Sequence, residues 1–269
     1  MERSQPETSA VGMSEAARNL LLPPWLTLGA ALFRADMLSQ RRRSVLGHAW
    51  LFIPAAAVAI GASYVQGRGI VTVRQVGMPF PIFVFAGVML WQLFLESFSA
   101  PTRALVAHRA LLTRIVVPHG AIIASGMMNV LIAAGARLGA LVLLCILLYG
   151  PVSPAALLIP VAMLAMAALG CAAGLLLAPL AILWDDVQRG AMLAANAAVV
   201  LMPVAYPIGV SGWQRWNPVL PLIDRPRAWL IGQPGDGSVL LAALFPAGLL
   251  TLAIGFYRVA RPHVVARLG

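Results

Sequence analysis

Arg103, His108, Arg109 and Arg114 crowd into the stretch ESFSAPTRALVAHRALLTRIVVP, residues 96–118, between two long apolar runs. Guanidinium groups at this density hold carboxylates or phosphates in place, or seat in an acidic cleft; being always charged, they do not act as general acids or bases. On a helix of 100° per residue Leu105, Leu112, Ile115 and Val116 gather on one side, with Arg103, Thr113 and Arg114 opposite beside the small Ala107 and Ala110. His108 and Arg109 flank the apolar side, so the amphipathicity is imperfect. Spacing alone leaves two readings open. One is a basic loop that only fixes topology; the other is a lever, a surface helix fitted into a cleft on a partner and moving the apolar runs with it.

Other chemistry is thinly represented. His48, His108, His119 and His263 lack metal-ligand spacing, and the only close carboxylates are the neighbours Asp185 and Asp186. The chain has no Gly-rich phosphate loop ending in Lys-Ser or Lys-Thr and no lysine at all, so a nucleotide engine would be a separate polypeptide. Cys145 and Cys171 fall inside apolar runs and read as packing residues rather than a disulfide framework or a metal site.

The elements that must position these residues are membrane elements. Of 269 residues 61% are hydrophobic and 10% charged, and mean hydropathy is +0.87, which leaves no polar surface for a water-soluble domain. A net charge of +10 reports topology rather than nucleic-acid binding, because most of the arginines stand at the ends of apolar runs where they meet lipid headgroups. A span needs roughly 20 apolar residues. That criterion predicts six spans, at 45–65, 79–100, 120–149, 154–182, 190–209 and 238–257, in an all-α membrane protein. Residues 1–22 read as a flexible cytoplasmic N-terminus without a cleavable signal, and 23–44, entered through Pro23 and Pro24, as an amphipathic helix in the interface. The remainder, 45–269, is one transmembrane domain. Arg3, Arg18, Arg34, Arg41, Arg42, Arg43, Arg103, Arg109, Arg114, Arg189, Arg258, Arg261 and Arg267 fall on one side and Arg68, Arg74, Arg215, Arg225 and Arg227 on the other, a bias that predicts both termini inside.

Two further features stand out. The stretch PIGVSGWQRWNPVLPLIDRPRAWLIGQP, residues 207–234, is too broken by prolines for a span, yet carries Trp213, Trp216 and Trp229. It reads as a re-entrant hairpin around Trp213, Asn217, Pro218 and Pro221, or as a loop anchored by aromatics at the headgroups. Arg137 lies within the third predicted span, where a charge costs roughly 2.5–3.5 kcal/mol. Glu96 is a poor partner for it: at about 1.5 Å per residue Glu96 stands roughly 9 Å above the inner face and Arg137 roughly 27 Å. Glu96 is expected instead to pair with Arg103 or cap the basic helix.

The run PFPIFVFAGVMLWQLFLESFSAPTRALVAHRALLTRIVVP from Pro79 resembles the second span and coupling helix of ABC-2 type permeases that export polysaccharides, the membrane subunits of O-antigen, capsule and teichoic acid transporters. The shared order is Pro79 and Pro81, Phe85 to Gly87, Trp91, Glu96, a basic helix and Pro118. RRSVLGHAWLFIPAAA from Arg42 is similar to the family's entry into its first span. WDDV at Trp184 to Val187 is similar to its Arg-Asp-Val turn, and WNPVLPLIDRPRAWLIG to its external hairpin. Departures are His108 and Ala110 where the family commonly has Asn, Thr113 where it often has a basic residue, and Asp185 before Asp186 where Arg is usual.

The resemblance implies a homodimer around a central pathway in a bacterial inner membrane. Two copies of a cytoplasmic ABC ATPase, the users of ATP and Mg, would couple through Arg103, Leu105, His108, Arg109, Leu111, Leu112, Thr113, Arg114 and, more weakly, Asp186. This chain would be non-catalytic and hold no cofactor; its other partners would be membrane lipids and a lipid-linked glycan, and not nucleic acid. Aromatic faces suit sugars, which makes Phe80, Phe83, Trp91 and Phe94 candidates for the channel wall, with ordinary packing as the alternative. Arg137 would meet an anionic group of the substrate there, or else snorkel or bond to backbone carbonyls. An exporter of a drug, haem or other lipid on the same scaffold, a secondary transporter and an intramembrane enzyme are the competing functions. The last two lack, respectively, paired broken helices and clustered acids.

Overall fold

The computed structural model describes residues 24–41, 52–69, 77–108, 118–202, 204–205, 217–233 and 238–268. Within them the chain is helical, without a strand. The α-helices are α1 (Pro24–Arg41), α2 (Ile53–Gly67), α3 (Phe80–Ala107), α4 (His119–Leu148), α5 (Ile159–Leu183), α6 (Asp185–Ala197), α7 (Leu220–Leu230) and α8 (Ser238–Leu268), with short 3₁₀ turns at Pro154–Leu158 and Ala198–Val200. Four of them, α3, α4, α5 with its preceding turn, and α8, are long and apolar enough to cross a membrane.

Among the described residues that is four where six are predicted, and the other two runs differ for local reasons. The first predicted run, 45–65, yields a helix of only 15 residues, α2, and part of it lies outside the described residues. The fifth, 190–209, is not one apolar helix. Its first half belongs to α6, whose opening residues Asp185, Asp186, Gln188 and Arg189 make it polar, and α6 then tightens into the 3₁₀ turn at Ala198. The two acids in the first turn of α6 suit the positive end of its dipole.

Helix α3 is the hub. Its apolar window is 78% buried, against 28% for α4 and 22% for α8, so α3 is packed in protein while the other two turn most of their surface outward. Close approach of α5 to α3 depends on Gly170 and Gly174, one turn apart. A Cβ at either position would run into the Phe94 and Phe98 carbonyls of α3. This is the small-residue packing that membrane helices use where burial from water supplies no attraction. Helix α1 packs on the start of α4, with Gly29 against the Ala121 carbonyl. Two apolar clusters result. The larger gathers around Phe83, Met89, Leu90 and Met166, and the smaller around Leu105, Ile122, Leu175 and Tyr257.

Candidate functional site

A polar stripe runs down α3. Gln92, Glu96, Ser99 and Arg103 recur at i, i+4, i+7 and i+11, which places them on one face. The Ser99 hydroxyl donates to the Glu96 carbonyl at 3.1 Å, and Arg103 Nη2 reaches the same carbonyl at 3.5 Å. The Glu96 carboxylate itself is taken by Arg137 of α4. Arg137 Nη1 donates to Oε2 at 2.9 Å and Nη2 to Oε1, a two-pronged pair in which Arg137 is almost fully buried.

This corrects the expectation that depth keeps the two apart. Helix α3 runs on past Glu96 to Ala107, so the carboxylate stands about 16 Å above the lower end of its helix rather than 9 Å, and two long side chains close the remaining gap. Neither alternative for Glu96 occurs: Arg103 meets its backbone carbonyl, not its carboxylate, and no helix begins beside it. The guanidinium of Arg137 is accordingly engaged by protein, and the cost of burying it is offset by a fork-to-fork bond.

Two buried polar atoms of the same region, Trp91 Nε1 and Gln92 Oε1, have no hydrogen-bond partner among the described residues. Trp91 stacks on Phe94 at 4.9 Å between ring centroids, and Phe94 on Phe98 at 6.2 Å. The aromatic candidates therefore divide. Phe94 and Phe80 are half-buried, while Trp91 and Phe83 are buried. Phe83 also stacks on Phe80 at 6.2 Å and bears the guanidinium of Arg227 on its face, 3.8 Å from the ring centroid.

Arg227, in α7, is the residue that reading the sequence missed. It is buried, donates from Nε to the Phe83 carbonyl at 3.1 Å and from Nη2 to the Val204 carbonyl at 2.5 Å, and pairs through Nη1 with Asp224 at 3.0 Å. Burial lowers its pKa to about 10 against the attraction of Asp224, so it keeps its charge at neutral pH. Gly87 makes the contact possible, since a Cβ there would collide with the guanidinium and with the Val204 carbonyl. The available signals were an Asp-x-x-Arg pair at Asp224 and Arg227 and a lone glycine in the facing span.

Of the hairpin candidates, Asn217 opens the turn before α7, with Oδ1 accepting from the Val219 amide at 3.0 Å. Pro218 lies in that turn and Pro221 in the first turn of α7. Trp213 lies outside the described residues.

The basic stretch splits in two. Residues 97–107 continue α3 instead of starting a separate helix, with Pro101 inside it. Leu105 is buried in the smaller cluster, whereas Arg103 is exposed, and the His108 ring nitrogen Nδ1 lies 3.0 Å from the Ala104 carbonyl. Arg109, Leu111, Leu112, Thr113 and Arg114 lie outside the described residues. Asp186 is exposed at the start of α6, 3.7 Å from Arg189. His119 meets Tyr257 edge to face at 6.2 Å, so the start of α4 lies beside the late turns of α8.

No protein-family model matches the chain, and no curated protein is significantly similar to it.

Proposed function

We propose that this chain is the membrane subunit of an ATP-driven exporter that moves a lipid-linked polysaccharide across a bacterial inner membrane. The observation that carries the reading is the lower end of α3. There Leu105 anchors the helix in the core while Arg103 stays exposed beside it, immediately ahead of the basic stretch that resembles a coupling helix. A push on that end bears on a helix packed on nearly every side.

On this reading two copies pair around the pathway, two cytoplasmic ATPases supply ATP and Mg chemistry, and both termini face the cytoplasm. Asp186 offers those ATPases a second, smaller contact. The polar stripe at Gln92 and Glu96, with Trp91 beside it, then belongs to the pathway or to the contact between copies. Polar atoms buried without a partner among the described residues call for one, which a second copy or sugar hydroxyls would supply. The aromatic row Trp91, Phe94 and Phe98 supplies flat faces for sugars at the same level.

The deciding experiment measures hydrolysis by the candidate ATPase in liposomes holding this chain, either unchanged or with Leu111→Asp and Leu112→Asp together. The reading expects stimulated hydrolysis and co-purification to be lost while the permease still inserts. Full retention of both would make the basic stretch a topological loop and remove the mechanism.

A further inference from the structure

A groove of about 470 Å3 opens between α2, α3 and α4. Its floor is Ala59 and Phe85, both buried, and its rims are Ile60 and Leu148, both exposed, so small and flat residues hollow out what larger ones fence in. From Phe52 to Ser63 along α2 it runs for roughly 16 Å, against about 15 Å for one leaflet of a 30 Å hydrocarbon core. The Ser63 hydroxyl is the only side-chain polar group in the lining, and it already donates to the Ala59 carbonyl at 2.6 Å. The walls therefore ask for hydrocarbon and nothing else.

The charge that completes the site stands just beyond it. Ile60, Tyr64 and Arg68 follow one another at i, i+4 and i+8, a single ridge that begins as the rim of the groove and continues past its end. The Arg68 guanidinium lies 5.1 Å from the centroid of the exposed Tyr64 ring, and among the described residues no carboxylate pairs with it. An exposed tyrosine and an arginine one turn beyond an apolar slot are placed at headgroup depth.

We propose that this groove holds one acyl chain of an anionic phospholipid from the leaflet on the side where α2 ends and α3 begins, with the lipid phosphate on Arg68. The site rests on the membrane-spanning character of the chain and not on the exporter reading. An apolar slot alone accepts any lipid; the cation at its mouth selects the anionic one.

The test is native mass spectrometry of the full chain released from detergent micelles containing equal amounts of phosphatidylglycerol and phosphatidylcholine with the same acyl chains. The unchanged protein is expected to retain phosphatidylglycerol about fivefold over phosphatidylcholine, the selectivity that one basic group near an anionic headgroup provides. R68Q should bring that ratio to parity with lipid still bound. A59F fills the floor and should abolish retention of both, and A140F on the α4 wall does the same with less demand on the core if A59F fails to fold. L143F, on an exposed position of α4 outside the groove, is the control. A ratio unaltered by R68Q, lipid retained by A140F as by the unchanged chain, or a dimer without bound lipid that A140F dissociates would each overturn the proposal.

Discussion

Replacing Glu96 or Arg137 singly should unfold the chain far more readily than replacing both. With Glu96→Leu a buried guanidinium loses the carboxylate that grips both its prongs and keeps its charge; with Arg137→Leu the carboxylate is stranded. Breaking a buried ion pair from one side costs about 3–5 kcal/mol, and the 30% exposure of the Glu96 side chain argues for the lower end of that range. The double variant Glu96→Leu/Arg137→Leu puts apolar groups of similar bulk between α3 and α4 and should lie within about 1 kcal/mol of the unchanged protein. The two single costs, about 3 kcal/mol each, then overshoot the double by about 5 kcal/mol or more, which is the interaction energy of the cycle. The measurement is the unfolding free energy of all four proteins in bicelles titrated with sodium dodecyl sulfate, followed by far-ultraviolet circular dichroism. Costs that add to within about 0.5 kcal/mol would refute the pair. A transport defect in the double variant with stability intact would show that the pair serves function and not folding.

Leu105 and Arg103 stand two residues apart in the proposed coupling region but should behave as opposites. Leu105→Ala is expected to cost about 2–5 kcal/mol of stability because it empties a fully enclosed site, whereas Arg103→Ala should stay within about 0.5 kcal/mol, with its effect seen in ATPase stimulation instead. Gly87→Ala should destabilise by about 1–3 kcal/mol through collision with Arg227 and the Val204 carbonyl, and only part of that cost should vanish in an Arg227→Ala background, because the Val204 carbonyl stays in the way; both are read from the same detergent titration.

Composition and hydropathy made the class legible, and the positions of α3, α4, α5 and α8 were readable from run length alone, because a span has to be long and apolar wherever it packs. What run length could not show was how polar residues beside an apolar run change the helix it forms. Residues 190–209 are oily enough to cross, but Asp185, Asp186 and Arg189 belong to the same helix, and the chain tightens at Ala198 rather than continuing. The Glu96–Arg137 pair was hidden by a wrong helix end. Taking the basic stretch as a separate helix cut α3 short of Ala107 and misplaced Glu96 by about 7 Å. Arg227 was hidden differently: its partners are the backbone carbonyls of Phe83 and Val204, and no side-chain pattern announces a carbonyl acceptor.

Helix α3 ties these features into one mechanical argument. It meets α5 through Gly170 and Gly174, α4 through Glu96 and Arg137, and α7 through Phe83 and Arg227, so three helices clamp its upper two-thirds at two levels, one at Phe83 and one between Phe94 and Phe98. Pro101 interrupts it below those clamps. A proline inside a helix removes the hydrogen bond to the residue four back, here the Ser97 carbonyl, and loosens the turn it enters. Everything that would receive a push from a partner lies below that point. A lever attached only through a loosened turn would bend without moving the span. The burial of Leu105 against Ile122 and Leu175 answers this difficulty, because it couples the segment below Pro101 sideways to α4 and α5 rather than upward through the weakened turn. On the exporter reading, force therefore enters as a shift of the Leu105 cluster and reaches the Glu96–Arg137 level through α4.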